Sequence, residues 1–243
     1  MFCDIKIENH YKKINLNNPI DISIPVKKNG IRGWGLDYAK IQPVKNKNFI
    51  GSIYKGGSVN FNNIFFNPHS HGTHTESIAH VTKIKHYIND AMKRFFFYSK
   101  LISINPKNNI IRKKDLELKL KDKKHEALII RTLPNSSNKK TKKYDLNKEY
   151  PYFEEEAVKF IVSKGIKHLL VDFLSIDKAK DEGKLKNHKL FWGHPNKKRL
   201  YSTITELIFV ENKIKDGNYI LNLQVSSFDN DAAPSRPVIY KIH

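Results

Sequence analysis

Apolar and polar residues alternate through DISIPV (21–26), a period-two pattern that ends beside a proline and predicts an early strand. NFIGSIY (48–54) and VNFNNIFF (59–66) predict two more, with Gly56-Gly57 as the turn between them, and the greasy run FNNIFF calls for a place in a core. ISI (102–104) and EALIIRT (126–132) predict further strands, and DLELKLKD (115–122) between them reads as a short helix or a strand. PNSSNKKTKKYDLNKEYP (134–151) has almost no apolar content and reads as a long solvated loop.

The clearest unit is 154–177. Three acids open a helix, apolar residues recur at 157, 158, 161 and 162, and Gly165 closes it before HLLVDF (168–173) enters a buried strand. LKNHKLFW (185–192) predicts a helix and TITELIFV (203–210) a buried segment. YILNLQVSSF (219–228) predicts a strand after the turn Asp216-Gly217, and PVIYKI (237–242) a closing strand. The helix-to-strand step and the absence of repeats point to the α/β class, as a single domain over residues 1–243.

Composition changes this picture little. At 39% hydrophobic the chain can build a core, and its single cysteine, Cys3, excludes an internal disulfide framework. The N-terminus MFCDIKIENHYKKINL lacks a basic-then-apolar signal pattern and no apolar run approaches a membrane span, so a soluble, cytoplasmic protein is expected. The net charge of +20 raises nucleic-acid binding, but only six of the 44 basic residues are arginine (Arg32, Arg94, Arg112, Arg131, Arg199, Arg236). Specific phosphate and base recognition favours the planar guanidinium. The lysines are spread among asparagines and isoleucines rather than gathered in a stripe, so they read as solvated faces and no nucleic-acid partner is expected.

The candidate chemistry lies in NPHSHGTHTESIAHV (67–81), which holds His69, His71, His74, Glu76 and His80 directly after the strand 59–66. Imidazole and carboxylate suit zinc and manganese. His74 and Glu76 stand two apart, so in an extended segment they share a face, and Gly72-Thr73 allows a tight turn that aims several rings at one point. A histidine-rich solvated loop is the competing reading on these residues alone.

GTHTESIAH resembles the HxGTHxDxPxH signature of the cyclase family of metal-dependent hydrolases, which includes bacterial kynurenine formamidase and isatin hydrolase. The resemblance runs in order along nearly the whole chain. DISIPV resembles the family's opening strand, EALIIRT its "lllrT" strand, and VDFLSID (171–177) its "GvDtpSiD" segment. LKNHKLFW followed by ITELIFV resembles its "L..H......ilEnL" stretch, and DGNYILNLQ and DAAPSRPV resemble "G.y.l...pl" and "DaSPvRav".

The resemblance implies the family's swivelling β/β/α-type fold, a homodimer, and one or two Zn2+ or Mn2+ ions per chain. It also implies hydrolysis of a small amide of the N-formylkynurenine type, a lactam or an ester by a metal-bound hydroxide. On the matching positions His74, Glu76, His188 and Glu206 are metal ligands, His80 is the general acid/base, and Gly72 and Thr73 are the structural pair. The first ligand histidine of the signature falls on Ser70, between His69 and His71. That position is lost, filled by water, held by Ser70 itself, or taken by a flanking histidine, with His71 carried alongside Ser70 as the further candidate. Glu76 replaces an aspartate and Ile78 a proline, and His194 in the longer interval before Glu206 is an alternative to His188. Trp34, Trp192 and the phenylalanines of FNNIFF are candidate substrate walls, each with core packing as the competing role. Asp172 and Asp177 read as supporting or loop-capping groups, His168 as a packed histidine and Arg236 as structural. The alternative function is a cyclase-fold binding or interaction protein with a degenerate metal site, motivated by Ser70 and Ile78.

Overall fold

The computed structural model describes residues 1–121 and 125–243. Its centre is a closed ring of seven strands with an eighth at the edge. In chain order these are β1 (Ile20–Asp21), β2 (His74–Glu76), β3 (Phe96–Ile104), β4 (Ala127–Thr132), β5 (His168–Val171), β6 (Thr203–Glu206), β7 (Gly217–Val225) and β8 (Ala232–Lys241). The order around the sheet is β7-β3-β4-β5-β6-β2-β8-β1, and β7 also pairs with β8, which closes the ring. The run β3-β4-β5-β6 is parallel, whereas β2 is antiparallel to both its neighbours.

Strand β4 is buried throughout because both its faces are covered. Ala127 and Ile129 join one core cluster with Leu101, Leu170, Leu221 and Ile239 from the other ring strands. Leu128 and Ile130 join a second cluster with Ala157, Val158 and Ile161 of the covering helix. That explains the unbroken apolar run of EALIIRT. The helix itself spans Glu155–Ser163 with Glu155 and Glu156 in its first turn. Gly165, at φ +81°, turns the chain back toward β5.

Several expectations are corrected. Of DISIPV only Asp21 lies in a strand, Ile20–Asp21, with Ile22 and Ile24 buried beyond it. NFIGSIY holds a two-residue strand, Phe49–Ile50, and a 3-10 turn, Ile53–Lys55. DLELKLKD takes the helical alternative over Asp115–Glu117, the end of the helix Lys113–Glu117, and its Asp122 lies outside the described residues. Segment 134–151 is not wholly solvated, because Tyr144 and Tyr150 pack edge to face at 4.8 Å against Leu174, Leu207 and Phe209. FNNIFF does not enter a core: Asn62–Phe65 pairs with Lys40–Pro43, and Phe61, Ile64 and Phe65 are 58%, 56% and 64% exposed. The N-terminal hairpin of Phe2–Ile7 with His10–Asn15 has no forecast in the apolar pattern. Among the described residues no helix is long and apolar enough to cross a membrane.

Candidate metal centre

Strand β2 is the spine of the site. Its alternation turns Thr75 one way, where the hydroxyl meets Thr205 at 2.8 Å, and His74 and Glu76 the other. The register of β6 sets Glu206 directly opposite His74, and their nearest atoms, Nε2 and Oε2, lie 3.6 Å apart. The Gly-Thr pair before β2 acts as a backbone clasp. A Cβ on Gly72 would come within 2.7 Å of the Ile24 carbonyl, and Thr73 Oγ1 accepts from Ile24 N at 2.7 Å while donating to the Leu207 carbonyl. Leu207, next to Glu206, sits at φ +58°, a strained backbone of the kind that clusters at working sites.

His188 enters from the helix Lys186–Phe191. Its Nε2 lies 3.0 Å from Glu76 Oε1 and 3.6 Å from Glu206 Oε1, while its Nδ1 meets Asp177 Oδ2 at 2.6 Å. Asp177 also accepts the amides of Asn187 and His188, so it caps the helix and orients the ring together. His194 stands apart from this group, as does His168, whose Nδ1 meets Thr203 Oγ1 and whose ring packs 3.9 Å from that of Phe97. Asp172 anchors a loop through Thr132 and Lys139, and Arg236 pairs with Asp21 at the surface.

Ser70 and its two neighbouring histidines lie on a single helical turn, Pro68–His71. Pro68 opens this turn, and successive side chains on it then point about 100° apart. Ser70, fully buried, donates to the Gly33 carbonyl and accepts its amide. His71 accepts from Asn67 N at 2.8 Å and faces the Asp37 carbonyl at 2.6 Å, which occupies both its ring nitrogens. Both candidates for the extra ligand are therefore turned away from Glu76, and His69 is turned toward it, with Nδ1 at 3.2 Å from Glu76 Oε2. Spacing read along an extended chain cannot anticipate this rotation.

Asp231, at the start of β8, is a site residue that the sequence reading passed over. Its Oδ2 meets His69 Nε2 at 3.0 Å and His80 Nδ1 at 2.9 Å. It lies more than 150 positions from either ring, in DAAPSRPV, where the resemblance to "DaSPvRav" covers the aspartate but assigns it no role.

The electrostatics follow from burial. Glu76 is fully buried, which pushes its carboxyl upward, yet His80 and His188 hold it well below the usual range. His188 is raised well above the ordinary histidine value, because Glu76, Asp177 and Glu206 outweigh the cost of burying its charge. His69 is likewise pushed up to about 10, against its burial, by Asp231 and Glu76. Protons on the imidazoles thus balance the carboxylates, and a cation can take the place of those protons.

Among the described residues, His74 Nε2, His188 Nε2 and both carboxylate oxygens of Glu76 are buried without a well-aligned hydrogen bond. They meet one another or neighbouring rings only as close ion pairs, an arrangement that is costly to leave without a shared charge. Donor atoms of His69, His74 and Glu76, and of Glu76, His80 and His188, lie within 4.8 Å of one another. Such nitrogen and carboxylate donors fit zinc or manganese. His69, His80, His188 and Glu206 of the cluster line a cavity of about 710 Å³ together with Trp34, Leu36, Asn67, Lys178 and Leu185. Trp34 therefore stands at the cavity, its indole donating to the His69 carbonyl. Trp192 does not: it is fully buried, donates to the Ser202 carbonyl and backs the His188 ring at 5.8 Å.

A family model described as putative cyclase matches residues 20–178. No curated protein matches the chain. Among solved structures, a predicted metal-dependent hydrolase from Bacillus stearothermophilus is 16% identical, with 92% of this chain and 98% of that one aligned at a TM-score of 0.64. An isatin hydrolase bound to the product analogue thioisatinate is 13% identical over 93% and 92% of the two chains, at 0.63. Isatin hydrolase A from Labrenzia aggregata, bound to benzyl benzoate, is 11% identical over 92% and 93%, also at 0.63. At such identities the structural likeness speaks for the fold, while the family match covers more than half of the sequence: the chain belongs to the cyclase family.

Proposed function

We propose that the protein is a divalent-metal-dependent hydrolase of small amides, lactams or esters, with aryl formamides of the N-formylkynurenine type among its substrates. The observation that carries this reading is the convergence of the buried groups His74, Glu76, His188 and Glu206 beside an open cavity that His69, His80, His188 and Glu206 line. Glu76 and Glu206, with His74, His188 and His69, would hold the ion. Glu76 turns Oε1 toward His188 and Oε2 toward His69, so its two oxygens would serve both sides of the ligand cluster. A divalent ion such as Zn2+ or Mn2+ supplies Lewis acidity, which makes a water nucleophilic near neutral pH and polarises a carbonyl.

The chain's own groups do the rest. His80 projects into the cavity with Nδ1 held by Asp231 and Nε2 at 3.8 Å from Glu76 Oε2. Nε2 would take the proton from the attacking water and return it to the leaving nitrogen or oxygen. Trp34 and Leu36 offer an apolar wall for an aromatic or cyclic substrate, and isatin, the lactam named for two of the similar structures, belongs among the compounds tested. The approach of His69 to Glu76 supports this reading over a binding protein with a degenerate site, for which Ser70 was one of the two motives beside Ile78.

A homodimer is part of the proposal, supported by the exposed apolar strip around Phe61, Ile64 and Phe65. A cytoplasmic location is proposed from the single, exposed cysteine. The test is elemental analysis of the purified protein, joined to hydrolysis of formanilides, isatin and phenyl esters before and after treatment with a chelator. One or two ions per chain and chelator-sensitive turnover are expected. A metal-free protein that stays inactive when zinc or manganese is added back would overturn the reading.

A further inference from the structure

We propose that Asp231 is a positioning residue that sets the proton-bearing nitrogen of two histidines at once, His69 and His80. It rests on the metal-hydrolase reading for its purpose, and on geometry for its content. A single oxygen, Oδ2, lies 3.0 Å from His69 Nε2 and 2.9 Å from His80 Nδ1. The two rings are stacked, with centroids 4.4 Å apart and planes at 30°, so both present an edge to that oxygen.

An ionised carboxylate only accepts hydrogen bonds. The ring nitrogens that face Asp231 must therefore carry the hydrogens. In the neutral rings the opposite nitrogens are then bare: Nδ1 of His69, 3.2 Å from Glu76 Oε2, and Nε2 of the cavity-lining His80, 3.8 Å from the same oxygen. One carboxylate thus leaves the first ring with a lone pair for a cation and the second with a lone pair for a proton. Support of this kind raises the basicity of a ligating histidine and fixes its orientation. The same logic underlies an aspartate that holds a catalytic imidazole in one tautomer.

Asp231 is itself held firmly. Its carbonyl accepts the amide of Ser77 at 2.9 Å and the Ser77 hydroxyl at 3.2 Å, and the next residue, Ala232, pairs in register with Glu76. The carboxylate is therefore tied to the strand that carries the central ligand. His69 reaches Glu76 only because the turn Pro68–His71 rotates it there, and Asp231 braces the far side of that ring.

The experiment reads nitrogen protonation directly, by long-range proton–nitrogen NMR of the full chain with labelled histidine. It is paired with zinc affinity measured by competition against a chromophoric chelator. In the metal-free protein, at a pH where the His80 ring is neutral, His80 should carry its proton on Nδ1, and Asp231→Ala should move it toward Nε2. In the zinc-loaded protein His69 should be protonated on Nε2 alone, and Asp231→Ala should weaken zinc binding about 10- to 100-fold. Asp231→Asn keeps the shape and an acceptor oxygen, and should show a smaller loss and guard against a folding defect in the alanine variant. Unchanged His80 protonation and unchanged zinc affinity in Asp231→Ala would overturn the inference. If the wild-type chain takes up no zinc, the proposed function fails while the metal-free spectra still decide the role of Asp231.

Discussion

Asp177 and His188 are joined twice: Oδ2 of the aspartate meets the ring Nδ1 at 2.6 Å and also accepts the backbone amide of the same residue at 3.1 Å. The helix start and the ring orientation are therefore one structural event. Asp177→Ala should lower metal affinity about 10- to 100-fold by freeing the ring. It should also cost about 0.5–2 kcal/mol of stability by uncapping the helix. Chelator competition and urea unfolding of the same variant measure the two effects. Full metal affinity in that variant would show that the ring needs no such brace.

The division of labour within Pro68–His71 makes a paired prediction. Ser70→Ala removes a buried hydroxyl that bonds both polar backbone groups of Gly33, and should cost about 1–3 kcal/mol while leaving metal content unchanged. His69→Ala should reverse the pattern, with less bound metal and a smaller change in stability. Inductively coupled plasma mass spectrometry alongside thermal unfolding distinguishes them. Loss of metal from Ser70→Ala with none from His69→Ala would place the ligand at the serine after all.

Part of the centre was legible in the residues themselves: His74 and Glu76 alternate on a strand, so their spacing gives them one face. Glu206, within TITELIFV, and His188, within LKNHKLFW, entered only through the resemblance of those segments to the family's pattern. His69 and Asp231 were not legible in the same way. The first depends on a one-turn helix that rotates three neighbouring polar residues to three destinations, and the second on a contact between chain segments far apart in sequence. FNNIFF misled for a related reason. Its apolarity is real, but whether an apolar strand faces a core or the outside is set by tertiary packing that local pattern does not encode. Tyr144 and Tyr150 were hidden in a polar stretch because two aromatic rings suffice to bury a loop against Leu174 and Phe209.

His168 supplies a pH prediction away from the metal centre. Burial, helped by the charge of Lys167, depresses its pKa from 6.5 to about 3 in the folded chain. Above about 6.5 the ring is neutral in both folded and unfolded states and contributes no pH dependence. As pH falls from 6.5 to 3, the unfolded chain binds a proton that the folded chain refuses. Stability is therefore lost at up to about 1.4 kcal/mol per pH unit from this group. His168→Gln should remove that slope across the same window. Urea unfolding between pH 7 and 4 tests it, and an unaltered slope in the variant would assign the acid sensitivity elsewhere.

The exposed strand Asn62–Phe65 makes the last prediction. All four of its residues are exposed, and its partner Lys40–Pro43 leaves Ile64 and Phe65 uncovered. Ile53, Tyr54 and Phe61 are exposed as well, with Tyr54 at 97%. Large exposed apolar side chains in such number mark a candidate interaction site, and the proposed homodimer would cover part of them. An aspartate at the centre of such a contact would have to lose its water without a partner, so Ile64→Asp with Phe65→Asp should convert dimer to monomer. Sedimentation velocity measures the change. Metal content should be retained, because these side chains do not line the cavity that holds His69 and His80. A wild-type chain that sediments as a monomer would leave the strip without a second copy to cover it and would remove the dimer from the proposed function.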